Sequence, residues 1–389
     1  MRFFHLSDLH IGKQLHYYNL KEDQEVILSQ VVEAAREYHP DAIVIAGDIY
    51  DKSVPSAEAV TIFNHFLTEI SDIKPAIPIL IIAGNHDSAQ RLDYASEILD
   101  RQHIHIAGSP PGESDEYLKK VKITDEYGEV TFYLLPFVKP GYVRNFLDEE
   151  SEDTYTAAVR ALIEREDMDL SGRNVLVSHQ FYTAGGKEPQ RSDSEAVVVG
   201  GLDNVDASVL EAFDYAALGH IHRSQQIGGP GFRYCGTLLK YSVSESNDDK
   251  ALLMVELGKK GTEPVLTSIP LSPLRDVKKL EGKFEDILSE TGKEKRKNDY
   301  VSITVTDDVE PYQLRERLEE VYPYLLEVKV DNTRTRTQLK EQAEVFDISD
   351  PYQVFCQFFE EVQGRKMNEE EQELLNEILE DREDEQCGR

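Results

Sequence analysis

The chain has 389 residues, 40% of them hydrophobic, and a formal net charge of −32. That length predicts two or three domains, and no run of about 18 apolar residues is present to span a membrane. So large an acidic excess argues against strong nucleic-acid binding by the isolated chain, because phosphate recognition shows a basic stripe.

The first apolar run, 2–6, reads as a strand and leads into Asp8-Leu9-His10, which leaves no room for a cleaved signal peptide. Lys21–Tyr38 reads as a helix. Strand 42–46 precedes Gly47-Asp48-Ile49-Tyr50-Asp51, with a helix at 57–69. Strand 79–83 precedes Gly84-Asn85-His86-Asp87, with a helix at 89–99. Strand 130–137 and a charged helix within 149–169 lead to strand 175–177 and Ser178-His179. Segment 183–201, rich in Gly and polar residues, reads as a mobile lip beside that histidine. Strand 216–218 precedes Gly219-His220-Ile221-His222, and strands 232–238, 251–257 and 265–271 follow.

Beyond residue 275 the pattern is helix 280–289, strand 300–306, amphipathic helix 310–321 and strand Leu325–Val330, a small α+β module. Tyr352, Phe355, Phe358, Phe359 and Val362 then form an aromatic stripe at helical spacing that Gly364 ends. Leu374, Leu375, Ile378 and Leu379 form a second stripe, and the tail after Glu380 is acidic. Such stripes must bury against this chain or a partner. Cys235, Cys356 and Cys387 are far apart and read as reduced thiols of a cytosolic protein. No Gly-x4-Gly-Lys-Ser/Thr string occurs, so ATP dependence would require another subunit.

The five polar motifs that follow strands supply Asp8, His10, Asp48, Asn85, His179, His220 and His222. Carboxylate, amide and imidazole donors at strand ends are a ligand set for two divalent cations, the chemistry of phosphate-ester hydrolysis. Spacing by two predicts that Asp8 and His10, and likewise His220 and His222, point to one side of an extended segment. Gly47, Gly84 and Gly219 suit tight turns with close backbone approach. His103 and His105 imitate the last pair but lack the preceding glycine; they and His5, His16, His39 and His65 read as structural or surface residues, with His16 and Lys13 lying near the first motif.

These motifs resemble the calcineurin-like metallophosphoesterase superfamily. The strings from Gly84 to Leu92, Tyr215 to Arg223 and Tyr234 to Glu245 are similar to its SbcD-type branch of nuclease subunits. The resemblance implies an α/β fold, a four-layer α/β/β/α sandwich, with a small α+β capping domain and C-terminal helices. It divides the chain into a catalytic domain at 1–272, a DNA-contacting cap at 275–340 and partner-binding helices with an acidic tail at 345–389. It assigns Asp8, His10 and His222 to one metal and Asn85, His179 and His220 to the other, with Asp48 bridging. Manganese is favoured, and iron and zinc stay open. His86 stabilises the transition state or protonates the leaving oxygen, and Asp51 orients it; some repair-branch relatives carry His at the Asp51 position. Asp87 reads as a turn residue.

The function so implied is a DNA nuclease of repair, recombination and replication in the cytoplasm, at the nucleoid. It combines 3′→5′ exonuclease action on duplex DNA with endonuclease action on single strands and hairpins. The C-terminal helices would dock on an SbcC-type coiled-coil ATPase, and a homodimer, built on helices near 62–67 or 92–99, would complete a heterotetramer. The basic groups available for DNA are Lys119, Lys120 and Lys122, Lys278 and Lys279, cap loop 293–297, and Arg334 with Arg336. A small-molecule phosphodiesterase or phosphatase of the same superfamily, or a non-catalytic scaffold, remains the alternative.

Overall fold

Strands Ala42–Ala46 and Ile79–Ile82 are apolar at every position and buried along their whole length, so they need cover on both faces and belong in the middle of a sheet. In the computed structural model they do. The first six-stranded sheet has the order Val265–Pro270, Ala251–Glu256, Arg2–Leu6, Ala42–Ala46, Ile79–Ile82, Ile104–Ala107. Its first two pairings are antiparallel and the rest parallel. The second sheet has the order Gln225–Gln226, Phe232–Tyr234, Tyr215–Gly219, Arg173–His179, Gly128–Leu135, Lys119–Asp125, parallel within and antiparallel at both ends. The structure describes residues 1–146, 154–195, 203–289, 298–309 and 311–332, together with 352, 355, 356, 359, 365–368, 371, 372 and 375.

Alternation along each strand sorts its side chains between layers. Phe3, Val44, Leu80 and Ile82 of the first sheet join Phe132, Leu134, Val175, Val177 and Tyr215 of the second in one core between the sheets. The Phe3 ring sits edge-on to Phe132 at 5.4 Å and to Tyr215 at 5.6 Å. Phe4, Leu6, Ile43 and Ile45 face the other way, onto helices Lys21–Tyr38 and Ala57–Ser71. Leu135, Leu176, Ala216 and Leu218 pack on helix Tyr155–Glu164. The result is the expected α/β/β/α sandwich.

Several elements depart from the bounds that periodicity predicts. The 89–99 helix breaks into Ala89–Leu92 and Ser96–Asp100. Asp93 turns its carboxylate to the Gly108 N–H at 2.7 Å, and Ala95 takes a left-handed φ of 62°. The 149–169 helix spans Tyr155–Glu164, started by Thr154 accepting from the Ala157 N–H; residues 147–153 lie outside the described ones. Strand 232–238 stops at Tyr234, and Gly236 turns with φ 78°. Residues 280–282 belong to strand Val277–Gly282, and the helix begins at Phe284, whose N–H is taken by Asp307 at 2.7 Å. Gln313, at φ 50°, delays the next helix to Leu314–Glu319.

The chain forms two compact units. One comprises Met1–Lys279, Lys293–Ser302 and Tyr322–Glu327; the other comprises Leu280–Gly292, Ile303–Val321 and Val328–Arg389. Strands Val277–Gly282, Tyr300–Val305 and Leu325–Val330 pair in that order in a three-stranded sheet. Within the smaller unit Arg317 pairs with Glu285 at 3.1 Å and lies over the Phe284 ring. Of the C-terminal stripes, Phe358, Val362, Gly364, Leu374, Ile378, Leu379 and the tail lie outside the described residues, as do Cys387, 293–297, Arg334 and Arg336. Among those described, Arg365 lies over the Phe359 ring and pairs with Glu371 at 2.7 Å, and Leu375 is buried. No helix among the described residues is long and apolar enough to cross a membrane.

Candidate metal centre

Both sheets deliver side chains to one place. Asp8 and His10 follow strand Arg2–Leu6, Asp48 follows Ala42–Ala46, and Asn85 and His86 follow Ile79–Ile82. His179 ends Arg173–His179, and His220 and His222 follow Tyr215–Gly219. All lie at the carboxyl ends of parallel strands, where open α/β sheets bind ligands. Backbone bonds zip the first two loops together: Asp8 N–H to the Gly47 carbonyl at 2.9 Å, His10 N–H to Asp48 at 3.0 Å, and Ile11 N–H to Ile49 at 2.9 Å.

The paired residues do not converge by strand alternation, as their spacing predicts. Asp8 has φ 52°, His10 43°, Asp48 51° and His220 98°. Left-handed backbone at a residue with a Cβ costs of order 1–3 kcal/mol and concentrates at functional sites. Gly47 takes a φ of 89°, as a tight turn requires. Gly84 and Gly219 serve close approach instead. A Cβ on Gly84 would stand 2.1 Å from Asp48 Oδ1, and one on Gly219 2.0 Å from the Ala46 carbonyl.

Asp8, His10 and His222 bring one donor atom each within 4.8 Å of one another, and Nε2 of His10 faces Nε2 of His222 at 3.1 Å. Asn85 Oδ1 lies 3.1 Å from His179 Nε2 and 2.9 Å from His220 Nδ1. Asp48 stands between these groups, with Oδ2 3.7 Å from His10 Nε2 and 3.3 Å from His179 Nε2. The geometry thus brings all seven candidate ligands together, and Asp8 and Asp48 also come within 4.8 Å of His179.

Burial shapes their charge. It pushes Asp8 up to about 6, opposed by the charge of His179 and reinforced by that of Asp48. Burial also works against ionised Asp48, but the positive charge and hydrogen bond of His179 outweigh it and hold Asp48 below the usual carboxylate range. Burial drives His10 and His220 down to about 3, and His222 well below its ordinary value. The same burial opposes a charge on His179, yet Asp48 and Asp8 raise it to about 9. Burial thus favours the neutral form of His10, His220 and His222, with lone pairs to offer, while the aspartates favour a proton on His179. Hard oxygen and borderline nitrogen donors facing one another in a buried pocket fit divalent cations, which would take over that compensation.

His86 stands at the rim. Its Nδ1 is 2.9 Å from the Asp51 backbone carbonyl, and its N–H donates to Asp48 Oδ1 at 2.8 Å. The expected orientation of His86 by Asp51 therefore runs through the main chain. The Asp51 carboxylate instead pairs with Lys13 at 2.8 Å. One His86 ring nitrogen also falls within 4.8 Å of donor atoms of His10 and Asp48. Asp87 is the turn residue expected, accepting from the N–H groups of Gly84, Ile49 and Tyr50 at 2.9, 3.0 and 3.0 Å. A cavity of about 540 Å³ opens beside His86, lined by Asp51, Lys52, Ser53, Val54 and Asn85.

The other histidines stay away from this centre. His16, His39, His65 and His103 are exposed, His105 bonds Asp100 at 2.9 Å, and His5 is buried against the Tyr215 hydroxyl at 3.0 Å. Four of the lysines named for DNA pair with carboxylates: Lys119 with Asp100, Lys120 with Glu166, Lys122 with Glu129 and Lys278 with Asp276.

Several supporting residues carry no motif that exposes them in the sequence. Gln24, from helix Lys21–Tyr38, donates to the His10 carbonyl at 2.8 Å and accepts from the Gly12 N–H at 3.0 Å. Arg191 lies 3.8 Å over the Phe181 ring with its buried Nε unbonded; Phe181 is edge-on to His220 at 6.2 Å. Ser194 reaches His222 Nδ1 at 2.7 Å, and Glu195 accepts from the His222 N–H at 2.8 Å. The described part of the expected mobile lip is therefore fastened to a candidate ligand, while 196–202 lie outside the described residues.

Residues 1–224 match the family model described as calcineurin-like phosphoesterase. Residues 273–363 match one described as the type 5 capsule protein repressor C-terminal domain. The chain belongs to the calcineurin-like phosphoesterases and is a metal-dependent phosphodiesterase. The SbcD component of the nuclease SbcCD from Staphylococcus epidermidis is 34% identical over 331 residues, 84% of either chain. Its counterpart from Staphylococcus saprophyticus is 29% identical over 382 residues, 97% of this chain and 98% of that one. Within its class, the chain belongs to the SbcD family.

Proposed function

We propose that this chain is the nuclease subunit of a DNA-processing complex. It cleaves duplex DNA exonucleolytically, 3′→5′, and single strands and hairpins endonucleolytically, with manganese, in repair, recombination and replication. The observation that carries this reading is the convergence of Asp8, His10, Asp48, Asn85, His179, His220 and His222 from two sheets, with His86 on the rim.

Asp8, His10 and His222 would hold one ion, Asn85, His179 and His220 the other, and Asp48 would serve both. Two such ions would supply Lewis acidity toward a phosphodiester and lower the pKa of water. His86, with Nδ1 donating to the Asp51 carbonyl, is left with Nε2 to meet substrate. When charged, the ring donates from Nε2 to the leaving oxygen. Arg191, stacked on Phe181 with an unbonded Nε, offers its guanidinium to a backbone phosphate.

Domain roles follow the same reading: catalysis in 1–272, a DNA-contacting cap at 275–340 and docking of an SbcC-type ATPase by 345–389. Two copies assemble as a homodimer within a heterotetramer, in the cytoplasm at the nucleoid. The net charge of −32 favours a second reading, a small-molecule phosphodiesterase, because the isolated chain repels polyanions.

The test compares labelled duplex, hairpin and single-stranded DNA with bis-p-nitrophenyl phosphate, all with manganese and an Asp48→Ala control. DNA cleavage that vanishes in the control is the expected outcome. Hydrolysis of the small ester alone, even after an SbcC-type ATPase is added, would establish the second reading.

A further inference from the structure

We propose that Ser194 is a positioning residue for His222, and that the buried Glu245 fixes the direction of the hydrogen bond between them. The inference rests on the reading of His222 as a metal ligand.

The argument is one of counting protons. Ser194 Oγ lies 2.7 Å from His222 Nδ1 and 2.7 Å from Glu245 Oε1. A hydroxyl has one proton to donate, and an ionised carboxylate only accepts. Ser194 therefore gives its proton to Glu245, and its lone pair receives the proton on His222 Nδ1. That places His222 in the Nδ1–H tautomer and leaves the Nε2 lone pair facing Asp8 and His10. A ligating imidazole is commonly set in this way by the bond its other nitrogen makes.

Glu245 is suited to holding the relay in one sense. It is completely buried, and Lys250 pairs with its Oε2 at 2.6 Å. Ser242 Oγ and the Tyr241 N–H donate to its Oε1 at 2.9 and 3.3 Å. Lys250 also donates to the His222 carbonyl at 2.8 Å, and Glu195 accepts from the His222 N–H at 2.8 Å. Ring and backbone of this one histidine are thus held together. Ser192 Oγ, 2.9 Å from Ser194 Oγ, has Glu195 as its own acceptor at 3.0 Å, and the Glu245 carboxylate is the stronger of the acceptors open to Ser194. Buried ion pairs contribute little net stability relative to apolar packing, so the Glu245–Lys250 pair is better explained by the polarity it imposes. His10 is held differently: its Nδ1 makes no hydrogen bond and faces the Asp51 carboxylate at 3.7 Å.

The test is a titration of the metal-free chain with Mn2+, free ion being read by electron paramagnetic resonance, beside thermal melting of the metal-free form. The variants are Ser194→Ala, Ser194→Thr, which keeps the hydroxyl, and His222→Ala. Loss of a second-layer partner typically weakens metal binding about 10–100-fold. Ser194→Ala should weaken one of two binding steps by that factor and leave the other step and the metal-free melting unchanged, while Ser194→Thr binds as the parent does. If His222→Ala loses one step but Ser194→Ala keeps both, the relay is overturned and the ligand reading stands. If His222→Ala also keeps both steps, the ligand reading itself fails. Equal weakening of both steps with lower metal-free melting, shared by Ser194→Thr, would mean a structural role and would likewise overturn the proposal.

Discussion

At the residue scale, His86 and Asp51 meet differently from what the family resemblance implies. The carbonyl of Asp51, not its carboxylate, holds the His86 ring. His86→Ala should lower turnover by about 10²–10⁴-fold, the usual contribution of a general acid, while Mn2+ stoichiometry stays at the parental value. Asp51→Asn keeps the carbonyl and should cost far less. Steady-state kinetics with metal analysis decides this: loss of bound metal in His86→Ala would make His86 a ligand, and equal losses in the two variants would return the orienting role to the carboxylate.

At the element scale, the strand ends are built so tightly that two glycines have no substitute. A methyl group on Gly219 would meet the Ala46 carbonyl, His179 and Ser7 together. Gly219→Ala should destabilise the fold by about 1–3 kcal/mol, as overpacking does. It should also impair metal binding, because His220 and His222 hang from that strand end; a denaturant titration matching the parent would refute the packing argument. The strands and the clustering of the motifs behind them are legible in the sequence, because apolar runs such as Ala42–Ala46 and the motifs that end them are continuous. The left-handed turns at Asp8, His10 and Asp48 were not, since they are imposed by bonds between loops far apart in the chain. Ser194, Glu245 and Lys250 were hidden for a related reason: they are ordinary polar residues whose role appears only when three segments meet around His222. Helix ends were misjudged where a side chain such as Asp93 or Asp307 captures a distant N–H.

At the scale of the whole molecule, the two sheets are also joined away from the centre, where the Met1 amino group pairs with Asp125 and Arg173 donates to the Leu257 carbonyl at 3.4 Å. Arg173 starts a strand of the second sheet and is buried with Asp125 at 2.5 Å. The Arg173 hydrogen bond holds the Asp125 carboxyl well below its usual range. A carboxyl depressed in the folded state stabilises the fold above its unfolded value, near 3.9, and that contribution is lost as pH falls below it. Asp125→Asn should lower stability at pH 7 by about 3–5 kcal/mol, the cost of stranding a buried partner charge. Melting followed from pH 7 to pH 2 should fall more steeply in the parent than in the variant, and parallel curves would rule the linkage out.

The order of the donor residues along the chain has a consequence in time. One proposed set joins Asp8 and His10, near the start, to His222, more than two hundred residues later. The other joins Asn85 to His179 and His220. During synthesis the first sheet's parallel strands emerge early, yet neither set is complete until His220 and His222 have left the ribosome. On those proposed sets, a chain that stalls or is cut before that point would have most of its described strands and no finished centre, and would be inert.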